Sequence, residues 1–231
     1  MNARARAALL AALGAWSSLG CAVSPDEEAV AVGRAEEPLY ALSTRLWPRA
    51  AKIDVCWLPG GSAADQELVR EVITATWQAR ANISFVNWAN CPASGFAGIE
   101  ITPGSSNVVT GGLGNQADGV SNMELDFSAT PENTWATCVH NSLNRSECIQ
   151  ATAIHEFGHS LSFAHEQNRP DNNGECTIGV GSGSNGDTLL GDFDNGSIMS
   201  YCGDAVTLSH GDVYGANVVY GIAPALLASL F

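Results

Sequence analysis

Basic residues are scarce in this chain. Ten Lys plus Arg stand against 24 Asp plus Glu in 231 residues, a formal charge of −14, so there is no positive field to neutralise phosphates or grip an anionic membrane surface. Nucleic acid is therefore not an expected partner. The apolar run from Ala7 to Leu19 falls short of the roughly 20 residues that cross a bilayer as a helix. No C-x-x-C pair offers a thiolate zinc site, and no internal repeat suggests a solenoid or propeller. Gly111-Gly112-Leu113-Gly114 lacks the lysine of a phosphate loop. What is present, 45% apolar and 15% charged residues, suits a chain that buries a core. At about 150 residues per domain the length allows one domain and an extra segment.

That extra segment lies at the amino terminus. Arg4 and Arg6 precede the apolar run, so residues 1–21 read as a secretory signal peptide. All the acidic residues lie beyond it, and its removal leaves eight basic against 24 acidic residues, a net −16. Ser18-Leu19-Gly20-Cys21 resembles the lipobox of bacterial lipoproteins, in which the cysteine is acylated and becomes the first residue, although Ser18 replaces the usual leucine. Acylation of Cys21 and ordinary cleavage nearby both stay open. The expected location is exported, either secreted or lipid-anchored on a bacterial cell envelope, with the membrane touched only through that lipid. Residues 22–45, with Ser24-Pro25-Asp26-Glu27-Glu28 and Glu36-Glu37-Pro38, lack periodicity and read as a linker or short prosegment. Residues 46–231 remain for a single domain, expected to be a monomer.

With Cys21 set aside, Cys56, Cys91, Cys138, Cys148, Cys176 and Cys202 form an even set in an exported chain, which points to three disulfides. Fifteen pairings satisfy the count. Cys56 with Cys91, Cys138 with Cys148 and Cys176 with Cys202 are favoured because they close local loops.

Ile53, Val55 and Trp57 alternate with Asp54 and Cys56 as in a half-buried strand. Ser62 and Asp65 resemble a capping box ahead of Leu68, Val69, Val72, Ile73, Thr76 and Trp77 at helical spacing. Further strands are expected from Ile83 to Trp88, from Gly98 to Thr102, and through Met123, Leu125 and Phe127.

The chemistry concentrates in His155-Glu156-Phe157-Gly158-His159-Ser160-Leu161-Ser162-Phe163-Ala164-His165. On a helix, His155 and His159 share a face and can present two imidazoles to one metal, with Glu156 reaching a water beside it. Asn144 and Glu147 bracket a helix start, and Ile149, Ala153, Ile154 and Phe157 give it an apolar face. Neutral imidazoles suit one catalytic Zn²⁺, and His165 is placed to be the third protein ligand, leaving a coordination position open. By chance, H-E-x-x-H arises in well under about one chain in a hundred of this length. His140 and His210 read as surface or capping residues.

This pattern resembles the metzincin zinc endopeptidases, whose signature is H-E-x-x-H-x-x-G-x-x-H with a later Met-turn. Ser197-Ile198-Met199-Ser200-Tyr201 resembles that turn. His165-Glu166-Gln167-Asn168-Arg169-Pro170-Asp171 is similar to the astacin signature H-E-Q-x-R-P-D, and Leu208 to Gly221 resembles the last helix of matrixins. The resemblance covers Ser146 to Gly221. It implies an α+β fold with a small twisted mixed sheet, an active-site helix and a Met-turn. It implies Met199 as an apolar floor under the metal, Tyr201 as a resting ligand that swings out to stabilise the transition state, and Glu166 as partner of a processed amino terminus. Ser162 departs from the pattern. A glycine normally stands there at positive φ, and a serine in that conformation costs on the order of 1 kcal/mol.

The implied activity is hydrolysis of protein or peptide substrates by a water that zinc activates, with Glu156 as general base. Extended substrates would add to a cleft-edge strand near Met123 to Phe127. The alternative is a non-catalytic exported surface protein that keeps the fold and binds a partner, against which the intact Glu156 argues. Residues 171–196, rich in Gly, Asn, Asp and Ser, read as a solvated loop, with calcium at Asp187, Asp192 and Asp194 the lesser reading. The apolar tail from Ala225 to Phe231 is expected to pack on the domain.

Overall fold

Strand alternation and helical periodicity become the following elements in a computed structural model that describes residues 39–106, 108–116, 119–128, 138, 142–203 and 206–228. The signal peptide with Cys21, the linker up to residue 38, and His140 lie outside the described residues. In chain order the elements are β1 (Leu39–Ala41), β2 (Lys52–Trp57), α1 (Ala63–Ala75), α2 (Trp77–Arg80), β3 (Ser84–Asn90), β4 (Gly98–Gly104), β5 (Val108–Thr110), β6 (Val120–Asp126), α3 (Arg145–Ser160), β7 (Thr188–Leu190), α4 (His210–Tyr220) and α5 (Pro224–Ala228).

Five strands form a mixed sheet in the order β3-β2-β4-β6-β5, and β1 pairs with β7 in a separate two-stranded sheet. Only β5 runs antiparallel in the larger sheet. The class is α+β with a small mixed sheet. Alternation places Ile53, Val55, Ile99, Ile101, Met123 and Leu125 in the core, where they meet Ile154 and Phe157 of α3. The strand expected near Met123 to Phe127 is β6, and it is not an edge. It pairs with β4 on one side and β5 on the other, so the sheet edge on that side is β5.

Helix α1 stops at Ala75, two residues before the expected Trp77. The backbone of Thr76, at φ −107° and ψ −98°, leaves the helical region and ends the helix, while its amide and hydroxyl still donate to Val72 O. Trp77 opens α2 with its indole fully buried and donating to Ile154 O at 2.8 Å. Ser62 caps α1 through its hydroxyl. Asp65 does not return to the Ser62 amide as a full capping box requires. Its carboxylate instead accepts from the Ser62 hydroxyl and from both terminal nitrogens of Arg145. Arg145 also donates to Phe127 O at 2.6 Å, so it ties together α1, α3 and the end of β6.

A complete capping box from Asn144 and Glu147 starts α3. From Cys148 to Ser160 nearly every residue of α3 is buried, so the helix runs through the molecule rather than along it. Its last carbonyls, which have no partner within the helix, are met from elsewhere. Trp47 Nε1 donates to Ser160 O at 2.7 Å, Tyr220 Oη to Leu161 O at 2.8 Å and Gly114 N to His159 O at 2.9 Å.

Regular structure is already present at Leu39, ahead of the expected start near residue 46. Leu39 is fully buried against Gly215 of α4, where a Cβ would collide with it, and Ala41 bridges Phe163. A three-residue strand shows no usable alternation, and its partners lie far along the chain. The structure closes the disulfides Cys56–Cys91, Cys138–Cys148 and Cys176–Cys202. The tail forms the short helix α5, on which Leu227 stays 42% exposed. No helix among the described residues is long and apolar enough to cross a membrane.

Candidate metal centre

His155 and His159 lie one turn apart on α3. Past its end the chain reverses at Ser162, which has φ 75°, and this returns His165 to the same point. All three imidazoles are buried, and one ring nitrogen of each lies within 4.8 Å of those of the other two. His159 Nε2 and His165 Nε2 are 3.0 Å apart.

The other ring nitrogens fix the tautomers. Nδ1 of His155 meets Ile198 O at 2.7 Å, Nδ1 of His159 meets Phe163 O at 2.7 Å, and Nδ1 of His165 meets Ser182 O at 3.1 Å. A carbonyl oxygen only accepts, so each Nδ1 carries the proton and each Nε2 turns a lone pair toward the centre. Burial, with the neighbouring imidazoles adding, holds His155 well below the ordinary histidine range. The same causes push His159 down to about 3, and burial lowers His165. Three neutral nitrogens with outer hydrogen bonds are the donor set that zinc takes. Tetrahedral coordination separates such nitrogens by about 3.3 Å, close to the observed His159–His165 distance.

Glu156 points into the same space. It is 5% exposed, and its Oε2 has no hydrogen-bond partner. Burial pushes its pKa up to about 8, opposed by the Val109 backbone amide. A cavity of about 160 Å³ is lined by Glu156, His159, His165, Tyr201, Val109 and Ser184, among others. The Tyr201 ring centroid stands 4.6 Å from that of His165 and 5.8 Å from that of His155. A larger cavity of about 590 Å³, lined by Arg80, His210 and Tyr214 among others, includes none of the three histidines. The chemistry of the side chains, rather than size, selects the smaller one.

Met199 is fully buried, and its Sδ occupies the space that a Cβ on Gly158 would need. Gly158 thus lets the Met-turn approach α3 between the two helical histidines. Glu166 is fully buried too. Its Oε1 accepts from the Asp194 amide at 3.1 Å and lies 3.3 Å from Arg169 Nε. Burial pushes Glu166 up to about 8, with Arg169 opposing. The amino-terminal partner expected for Glu166 lies outside the described residues.

The calcium reading is not supported. Asp187 accepts from the Ser43 amide and hydroxyl and from Thr188, while Asp194 accepts from the Gly196 amide. Among the described residues the three carboxylates do not gather around a common point. Sequence reasoning did not find the carbonyls of Ile198, Phe163 and Ser182, since any residue type supplies one. It also passed over Gly158 and Gly183, whose missing side chains make room for Met199 and for the His165 ring.

No protein-family model and no curated protein matches the sequence. Solved structures do match its fold. Myroilysin superposes with a TM-score of 0.50 at 20% identity, covering 78% of this chain and 97% of that chain. A second myroilysin crystal structure, at the same score and identity, covers 77% and 86%. High choriolytic enzyme 1, a hatching-enzyme zinc-protease of the medaka fish Oryzias latipes, gives 0.55 at 16% identity over 77% of this chain and 95% of its own. At such identities the likeness is one of fold. Together with the mixed sheet, the central helix and the buried methionine turn, it gives this chain the fold of the astacin-like metzincins.

Proposed function

We propose that the protein is an exported zinc-dependent endopeptidase. The observation that carries this reading is Glu156, a buried acid with an unpartnered oxygen beside three imidazoles that turn unprotonated nitrogens to one point. A buried carboxyl group without a counter-charge is costly to keep, and a purely structural metal site needs no base at that place. When bound by His155, His159 and His165, zinc supplies a Lewis acid that polarises the scissile carbonyl and acidifies water. Glu156 takes the proton from the attacking water and passes it to the leaving amine. Tyr201, which lines the same cavity, donates to the oxygen that gains charge, and Met199 holds the floor. An extended peptide adds antiparallel to β5, whose Val109 lines the cavity beside Glu156. Three disulfides suit an oxidising compartment, and the mass of the mature amino terminus separates acylation at Cys21 from ordinary cleavage.

The test is cleavage of casein and of quenched peptides by the purified mature chain. A chelator abolishes activity and zinc restores it, while Glu156→Gln lowers turnover roughly 10²- to 10⁴-fold with zinc still bound. Turnover that survives Glu156→Gln rejects the assigned base.

A further inference from the structure

The third imidazole differs from the other two in what holds its outer hydrogen bond. His155 and His159 donate to Ile198 O and Phe163 O, which belong to fully or nearly fully buried core residues. His165 donates to Ser182 O, on a glycine-rich turn whose tip, Val180, is 56% exposed. Such a turn gains little rigidity from burial, so its carbonyl must be fixed in another way.

Asn168 fixes it. Its Nδ2 donates to Ser182 O at 2.8 Å and to Ser184 O at 3.2 Å, while its Oδ1 accepts from the Gly181 amide at 2.7 Å. The Ser182 amide closes the turn onto Gly179 O at 3.0 Å. Ser182 O thus receives two hydrogen bonds, one from Asn168 and one from His165, which fill its two acceptor positions. Glycines let the turn press on the site, since a Cβ on Gly179 would collide with the Tyr201 ring and one on Gly183 with the His165 ring. Both have positive φ, 65° and 71°. Asn168 itself is tied to the ligand, since its amide donates to His165 O at 3.1 Å.

We propose that Asn168 is the positioning residue of the third metal ligand: through the 179–184 turn it sets the tautomer and the aim of His165. The proposal rests on the metal-centre reading and deepens it. The side chain must offer two donors and one acceptor at this length, which only asparagine does. Aspartate keeps the size but has no donor, and it sets a negative charge against two carbonyl oxygens. Alanine removes all three bonds.

The experiment measures zinc affinity by chelator competition for the wild type, His165→Ala, Asn168→Ala and Asn168→Asp, with circular dichroism as a check on the fold. Proton–nitrogen NMR of the imidazoles in the zinc-loaded proteins is recorded alongside. Loss of a partner to a ligating imidazole weakens metal binding about 10- to 100-fold, and that loss is expected in both Asn168 variants. The Nδ1 proton of His165 is expected to be protected from exchange in the wild type and unprotected in Asn168→Asp, with His155 and His159 unchanged. Unchanged affinity and an unchanged His165 signal in folded variants overturn the proposal, as does loss of the fold in both, which would make Asn168 merely structural. Failure of the metal-centre reading shows separately: the wild type would bind zinc no better than His165→Ala.

Discussion

Ser162 shows how a single residue can break a pattern and keep the geometry. The turn after α3 demands a left-handed backbone, and Ser162 adopts φ 75° while fully buried. Its hydroxyl offsets the strain by donating to Leu42 O at 2.7 Å, and its backbone pairs with Leu42 and His159. The extra side chain is accommodated across the interface. Gly114 faces it, and a Cβ there would collide with Ser162 and with Arg45 O. Ser162→Ala keeps the strain and loses the bond, so about 1–2 kcal/mol of stability should disappear. Ser162→Gly loses the same bond but relieves the strain, and should fall between the wild type and Ser162→Ala in denaturant midpoint. If Ser162→Gly proves the less stable of the two, strain is not what limits this turn.

At the scale of elements, Asp212 couples α4 to the Met-turn. It completes the Ser209 capping box, and it also accepts from the Ile198 amide at 2.9 Å and the Ser197 hydroxyl at 2.6 Å. Ile198 in turn supplies the carbonyl that orients His155, so one buried carboxylate connects a helix start to the first of the three imidazoles. Asp212→Ala leaves the Ile198 amide without its acceptor and should cost about 2–4 kcal/mol by reversible urea unfolding. Burial, against its hydrogen bonds, pushes Asp212 up to about 6 from an ordinary 3.8. Between those values the folded chain keeps a proton that the unfolded chain has lost. The contribution to stability is therefore full below pH 3.8, declines as pH rises, and is gone above about pH 6. The span corresponds to about 3 kcal/mol. In Asp212→Asn this titration vanishes, so the wild type should gain on the variant by up to about that amount between pH 7 and pH 4. A constant difference across that range would refute the buried ionisation.

For the whole molecule, the three disulfides should rank by the loops they close. Their sequence separations are 35 for Cys56–Cys91, 26 for Cys176–Cys202 and 10 for Cys138–Cys148. Loop entropy assigns them about 3.8, 3.5 and 2.7 kcal/mol. Paired Cys→Ser variants, compared by denaturant unfolding, should lose stability in that order. Cys176–Cys202 should depart from it in one further readout. It joins the start of the glycine-rich segment to the residue after Tyr201, so its removal should also weaken zinc binding, which removal of Cys138–Cys148 should leave unchanged.

The sequence by itself determined the parts whose physics is local. The H-E-x-x-H spacing needs only a helix to bring two imidazoles together, the Asn144–Glu147 box starts that helix, and period-two alternation marks β2, β4 and β6. The local cysteine loops favoured the pairing that the structure closes. Tertiary structure alone decided the rest, because the deciding partners are backbone atoms or residues far away in the chain. Nothing near Leu39 announces that β7 and Gly215 will bury it, and nothing at β6 says that three residues of β5 will cover its edge. Burial of α3 from Cys148 to Ser160 is likewise a property of the packed molecule. That burial keeps the imidazoles neutral and raises Glu156, because removing water disfavours whichever form of each group is charged.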